Sequence, residues 1–369
     1  MKTGRRIPNA GRGFVLSAVL AACGLIMMPA AERPVSSGRI TEDKSFALTY
    51  IANCGALVSA GESKVLRLQR APLPDTVFGQ ASPGSEPVKF WPGILSGGPY
   101  PHGQLAFSPD GAGVFWSAMK QAGAGQTIYW SVFDGKTFGL PQVAPFAASG
   151  NGGPAFSADG RRLYFSAELP KEGSASETPT AICYVEKTAS GWSIPVPIAA
   201  TIDSLMTKGQ VSVARSGNIY FSGRVLAEKT PGVYVSRYSN GTYLAPERLA
   251  GPLANVPLLV DPWVDPEERF LLVSFPPPEG PPMLTDIGVC QRRADGSWNT
   301  PVRLGGAVNT AAFERFPSLS RDGKILFFIR SESRQFVGDQ AHFYWVDANV
   351  LSEGTIKAKD SKDGSVTKE

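Results

Sequence analysis

The stretch that opens at Phe107, FSPDGAGVFW, returns at Phe156 as FSADGRRLYF. A chain that spells nearly the same phrase twice is building the same unit twice. Aligned on its turn glycine, the phrase falls at Gly111, Gly160, Gly217 and Gly323, with Glu267 of WVDPEERFLLVSF taking that place in a degraded copy. The intervals are 49, 57, 50 and 56 residues. After each copy comes a short β-rich run: VFWSA, LYFSA, IYFSG, FLLVSF and ILFFIR. Asp-Gly or Ser-Gly between two such runs is a hairpin signal, because glycine takes the positive φ that a tight turn needs. No heptad or sustained helical stripe is written anywhere. The 40 glycines and 31 prolines fit many tight turns rather than long helices.

A second phrase runs in counterpoint. Phe138 to Pro141, Trp192 to Pro195, Tyr243 to Pro246 and Trp298 to Pro301 all read aromatic-x-x-Pro, and Pro87 stands alone ahead of the first turn phrase. Proline is tolerated on an edge strand, where its missing N–H is not needed, so this phrase marks the outermost strand of each unit. Its aromatic residue is expected to pack between neighbouring units. A third strand lies between the two phrases, in QTIYWSVF, AICYVEK, GVYVSRY, DIGVCQRR and HFYWVDA. Four antiparallel strands per unit of about fifty residues, repeated in series, predict an all-β fold, the β-propeller. The last unit lacks its aromatic-x-x-Pro strand, while Pro87 has an outer strand with no unit before it. Residues around 85–92 should therefore complete the final blade and close the ring. Five blades are legible; six is the alternative, with residues 43–75 supplying the extra one.

FSPDG with its following FW, FSADGRRLYFSA and FPSLSRDGKILFF resemble the WD-like repeats of the TolB-like β-propeller family. DGSWNTPVRLGGAVNT and FYWVDANVL are similar to a branch of exported, often lipidated bacterial proteins. The resemblance covers roughly residues 72–350. It implies an exported propeller whose usual role is binding or scaffolding, sometimes fused to peptidoglycan-binding or peptidase domains. The third and fourth units depart from the pattern in lacking the turn aspartate.

Export is also written at the N-terminus. Lys2, Arg5, Arg6 and Arg12 precede the apolar run Phe14 to Ala22, the layout of a signal peptide over residues 1–22. Leu20-Ala21-Ala22-Cys23 matches a lipobox, which would make Cys23 the lipidated residue; a cut after Ala31 and an uncleaved anchor are the other readings. Residues 23–71 read as a tether and N-terminal segment, 72–350 as the propeller, and 351–369 as a charged, disordered tail. The net charge of +4 belongs to the leader, since 32 basic and 32 acidic residues remain after it. Nucleic acid is thereby argued against, because phosphate binding needs uncompensated Lys and Arg. Membrane contact is expected only through the N-terminal lipid or anchor, and the body is expected to be a monomer in the periplasm or at the outer membrane. Cys54, Cys183 and Cys290 are widely spaced and read as unpaired, mostly buried thiols, with one disulfide in an oxidising compartment as the alternative.

Propellers bind ligands at the mouth of the central channel, where the inner strands begin. Nine residues back from each turn position stand His102, Asn151, Lys208, Leu258 and Glu314, with Gln104, Gln210 and Arg315 beside them. A base, an acid, a cation and an amide converging on one axis would bind a polar ligand or do acid–base work. The blander reading is that they cap strand ends. Asp261, Asp265, Glu267 and Glu268 in DPWVDPEE concentrate carboxylates but lack an EF-hand pattern, and read as a solvated turn. Two histidines in all leave no histidine-based metal site, G-x-S-x-G is absent, and no cofactor is implied. Asp110, Asp159 and Asp322 read as hairpin chemistry. The expectation is a non-catalytic, exported scaffold for an envelope protein or polar ligand. Its alternative is a hydrolase or lyase acting on a glycan or lactone through His102, Glu314 and Lys208.

Overall fold

The computed structural model describes residues 71–352, except 97, 121–124, 169–179, 199–206, 226–229, 281–283 and 333–340. The leader with Cys23, the tether to residue 70 with Cys54, and the tail from residue 353 lie outside the described residues. What is described is a five-bladed β-propeller. Blade 2 shows the pattern: Gly152–Phe156 innermost, then Arg162–Glu168, Thr180–Thr188 and the outer Val196–Pro197, each antiparallel to the last. The inner strands of blades 3, 4 and 5 are Thr207–Val213, Val260–Val264 and Phe313–Leu319. In blade 1 the inner strand is split into Tyr100–Pro101 and Ala106–Phe107, both paired to Gly113–Met119.

Every outer strand is two residues long and starts directly after its proline: Gln142–Val143, Val196–Pro197, Glu247–Arg248, Val302–Arg303 and Val88–Lys89. In blades 2, 3 and 4 the aromatic three residues before that proline packs back on the preceding blade. Trp192 meets Phe115 edge to face with centroids 5.6 Å apart, and Trp298 meets Tyr220 at 6.1 Å. Tyr243 donates its hydroxyl to that of Tyr164 at 3.2 Å. Each blade is apolar on both faces, so only the neighbours on either side remove it from water.

The ring closes as the surplus strand requires. Lys89 lies opposite Tyr344 and Val88 opposite Trp345, so Val88–Lys89 is the fourth strand of blade 5. The Phe90 N–H donates to the Phe343 carbonyl at 2.8 Å, and Lys89 pairs with Glu332 at 3.1 Å. Blade 5 then packs directly on blade 1, with Phe327 5.0 Å from Phe107 and Phe343 6.1 Å from Trp116. That contact leaves no place for a sixth blade between them. Thr76–Val77 and Gln80–Ala81 form instead a small hairpin whose Phe78 stacks on Phe107 at 4.7 Å, covering the seam.

The repeated turn is held by serine and aspartate. Ser108 Oγ donates to Asp110 Oδ1 at 2.6 Å, while Asp110 also accepts the Ala112 N–H and Ser108 Oγ accepts that of Gly113. Ser157 with Asp159 and Ser320 with Asp322 repeat the arrangement. Blade 3 has no turn aspartate, and Glu268 of blade 4 fills the role from outside. Its carboxylate accepts hydrogen bonds from Ser216, Asn218 and Tyr220. The turn of blade 4 is organised by Asp265, which accepts from the Glu267 and Arg269 N–H groups and pairs with the Arg269 guanidinium at 2.7 Å. Its positive-φ residue is Glu268, one place after the position expected for Glu267. DPWVDPEE is therefore no solvated turn: Asp261, Asp265 and Glu268 are buried, and Glu267 pairs with Arg215 at 2.6 Å. Cys183 and Cys290 are buried and form no disulfide among the described residues, and burial pushes the Cys290 thiol far up.

Candidate functional site

The inner strands are not regular. The ladder slips between Tyr164 and Ser166 in blade 2, Lys208 and Val211 in blade 3, Val260 and Trp263 in blade 4, and Arg315 and Ser318 in blade 5. A bulge inserts one residue, bends the strand and re-aims its side chains. In three blades the bulge holds a left-handed residue followed by proline: Gly153 at φ 61°, Asp261 at 53° and Phe316 at 55°. Glycine adopts that conformation freely, whereas a side chain there costs on the order of 1–2 kcal/mol. Aspartate tolerates it better than most residues; a bulky phenylalanine is an outlier.

Where the bulges meet lies a cavity of about 170 Å³ lined from all five blades. Blade 1 gives His102 and Gln126, blade 2 Gly153, blade 3 Gln210 with its neighbours, blade 4 Asp261 and blade 5 Arg315 with Phe316. Arg315 Nε lies 2.9 Å and Nη2 3.1 Å from the two carboxylate oxygens of Asp261, a bidentate pair across the blade 4–5 boundary. Both partners are largely buried, with side chains 18% and 4% exposed. The guanidinium sits 4.5 Å above the Phe316 ring, and the same ring meets His102 edge to face at 5.0 Å. A cation over an aromatic face is attracted by its quadrupole.

His102 Nδ1 is 3.0 Å from Gln126 Oε1. An amide oxygen only accepts, so Nδ1 carries the proton and Nε2 is an acceptor. Burial, reinforced by the Arg315 charge, pulls the imidazole down to about 4, against the hydrogen bond to Gln126 and the Asp261 charge, which raise it. The ring is neutral at pH 7. Gln210 is buried, and its Nε2 has no hydrogen-bond partner among the described residues. Gln104, also buried, crosses from blade 1 to donate to the Val211 carbonyl of blade 3 at 2.6 Å and that of Pro154 in blade 2 at 3.3 Å. At the turn end, Arg321 of blade 5 reaches the Ala158 carbonyl of blade 2 at 3.4 Å.

Of the residues singled out from sequence, His102, Arg315 and Gln210 meet in this cavity. Asn151 does not line it; its Oδ1 accepts the Ala148 N–H at 2.6 Å and caps a local turn. Glu314 is fully buried away from it, with Oε1 accepting from Arg330 Nε at 2.9 Å and from the Thr310 hydroxyl at 2.7 Å. Burial pushes its carboxyl upward, opposed by those hydrogen bonds. Leu258 takes a positive φ just ahead of its strand and lines nothing here. The backbone of Lys208 starts the blade 3 bulge; its side chain lies outside the described residues. Gln126, Asp261 and Phe316 did not emerge from the count. For Asp261 and Phe316 the signal was present in the repeated Gly153-Pro154, Asp261-Pro262 and Phe316-Pro317, each seven residues before a positive-φ turn residue; Gln126 had none.

No protein-family model matches the sequence, and no curated protein matches it. Among solved structures, TolB from Acinetobacter baumannii aligns at 14% identity and a TM-score of 0.41, over 66% of this chain and 53% of that one. The α-L-arabinofuranosidase PaAbf62A from Podospora anserina aligns at 12% and 0.43, over 72% of this chain and 94% of that one. The GH43 endo-arabinanase from Bacillus licheniformis aligns at 13% and 0.42, over 68% and 94%. The chain spans about half the length of TolB. The likeness is one of fold alone.

Proposed function

We propose that this chain is an exported, TolB-like propeller of the bacterial envelope that binds a polar ligand or partner at its channel mouth without chemically changing it. The observation that carries this reading is the Asp261–Arg315 pair. Glycoside hydrolysis needs two carboxyl groups about 5–10 Å apart across the scissile bond, one of them able to give up a proton. Among the described residues that line the cavity there is one carboxylate, Asp261, and each of its oxygens already accepts a hydrogen bond from Arg315. Glu314, the nearest acid in sequence to Arg315, spends its oxygens on Thr310 and Arg330. An imidazole held near 4 is a weak general base at neutral pH, since proton transfer is most effective when the pKa lies near the working pH. The same groups suit binding: they are fixed by their neighbours and so lose little freedom when a ligand arrives.

The test uses the full purified chain. Nitrophenyl glycosides and simple lactones are offered as substrates, and binding of solubilised envelope components is compared between the native protein and Arg315→Gln. Specific retention that Arg315→Gln loses, with no turnover of either substrate class, is the expected result. Turnover that His102→Ala abolishes in a folded protein overturns the non-catalytic reading. Export and anchoring are tested separately: Cys23→Ser should release the protein from membranes.

A further inference from the structure

We infer that the channel cavity is a subsite for one uncharged, hydroxyl-rich six-membered ring, the chemistry of a neutral pyranose unit. This rests on the binding reading above and adds the ligand class to it. Size comes first. A protein cavity of about 150 Å³ takes up benzene, so about 170 Å³ matches a single six-membered ring.

Charge comes next. Among the described lining residues only Asp261 and Arg315 form an ion pair, and their charges cancel; His102 is neutral. An anionic ligand would have to draw Arg315 from its bidentate partner, and a cation would have to draw Asp261. Either exchange leaves a desolvated charge behind, which is costly. An uncharged guest disturbs nothing.

Polarity decides the substituents. His102 Nε2 accepts, Gln210 Nε2 donates and has no partner, and Asp261 keeps lone pairs on both oxygens beyond those that Arg315 occupies. An apolar ring would leave these groups unpaired, at a cost for each. Groups that both donate and accept serve them all, and the hydroxyl is the side-chain-sized group that does so. Between the polar atoms the wall is carbon, from Phe316, Val260 and Pro231 with the backbone of Gly153 and Gly209. A ring with C–H faces and hydroxyl edges fits that alternation.

The backbone points the same way. Gly153, Asp261 and Phe316 occupy equivalent bulges with φ between 53° and 61°. Stability alone would place glycine at all three, as blade 2 does. The chain instead holds a carboxylate and an aromatic ring there, in strained conformations of the kind that cluster at ligand sites.

Binding of D-glucose, D-galactose and N-acetyl-D-glucosamine is measured on the full chain by calorimetry and ligand-observed NMR, with D-glucuronate, D-glucosamine and N-acetylglycinamide as comparators. At least one neutral sugar should bind saturably with a Kd on the order of 1 mM, and its charged counterparts about tenfold more weakly. Gln210→Leu removes an unpartnered buried donor, so it should keep or raise stability while weakening the sugar about tenfold. Gln126→Ala, which frees the His102 tautomer, should weaken it several-fold. The inference is overturned if no neutral sugar binds at concentrations of roughly 50 mM, about the limit of weak binding worth a function. It is equally overturned if the charged sugars bind as well, or if Gln210→Leu changes nothing. Two results separate this inference from the reading beneath it. If N-acetylglycinamide binds in place of sugars and Gln210→Leu abolishes that, the ligand class falls and the binding reading stands. If a bound glycoside is cleaved, the ligand class stands and the non-catalytic reading falls.

Discussion

Removing the Asp261 carboxylate should damage the ring in a way that depends on what replaces it. Asp261→Ala leaves the Arg315 guanidinium without its bidentate partner while its side chain stays largely buried. Breaking a buried pair from one side costs about 3–5 kcal/mol, and Arg315's residual 18% exposure puts this case near 3. The substitution also places alanine at φ 53°, adding about 1 kcal/mol relative to glycine. Asp261→Gly should therefore cost about 1 kcal/mol less than Asp261→Ala. Asp261→Asn keeps an acceptor and tolerates the left-handed conformation, so it should cost least, about 1–2 kcal/mol. Asp261→Ala combined with Arg315→Met should recover most of the loss, because no buried charge is then left unpaired. Urea unfolding followed by the fluorescence of the 7 tryptophans, with thermal melts beside it, measures all four. In a domain of this size each kcal/mol moves Tm by about 2 °C. Equal effects for Ala, Gly and Asn would refute the strained-bulge argument, and a double variant worse than Asp261→Ala would refute the ion-pair argument.

Three further outcomes follow from the same geometry. His102 sits near 4 in the folded protein against 6.5 unfolded, so the unfolded chain binds the extra proton between those values; its contribution is complete above pH 6.5 and is lost as pH falls toward 4, by roughly 3 kcal/mol, and pH-dependent unfolding of His102→Phe should lack that slope. Val88→Pro puts a residue without an N–H into the two-residue strand that closes blade 5, and hydrogen exchange at Tyr344 and Trp345 should speed up at least tenfold while the blade 3 strands are unaffected. Cys183 and Cys290 should resist a thiol reagent until the ring unfolds, because both are buried and the Cys290 thiolate is disfavoured there.

The architecture was legible because a propeller writes its hairpin once per blade. Gly111, Gly160, Gly217 and Gly323 occupy the same positive-φ turn, and the prolines at 87, 141, 195, 246 and 301 each stand directly before an outer strand. Closure was legible because a strand missing at one end was surplus at the other. The site was legible only in part. Counting back from a turn assumes that side chains alternate without a slip, and the bulges break that alternation between the turn and the channel mouth. The count lands on Asn151 and Glu314, while the channel is faced by Gly153, Arg315 and Phe316, one or two places further on. Asp261 was hidden for another reason. A cluster of four carboxylates looks solvated when the arginines that neutralise it, Arg215, Arg269 and Arg315, lie in other strands or beyond the turn. Glu268 completing the turn of blade 3 belongs to the same class, since a contact between blades leaves no trace in local spacing.

The most direct test of the channel mouth as the working site is the nitrogen NMR of the His102 imidazole, titrated with pH and with a neutral pyranose. Only one other histidine, His342, has to be told apart from it. The account predicts a neutral ring protonated at Nδ1 at pH 7, charging only near pH 4, with an Nε2 signal that shifts as the sugar binds. A ring already charged at pH 6, or an Nε2 signal that stays still while sugar binds, would contradict it.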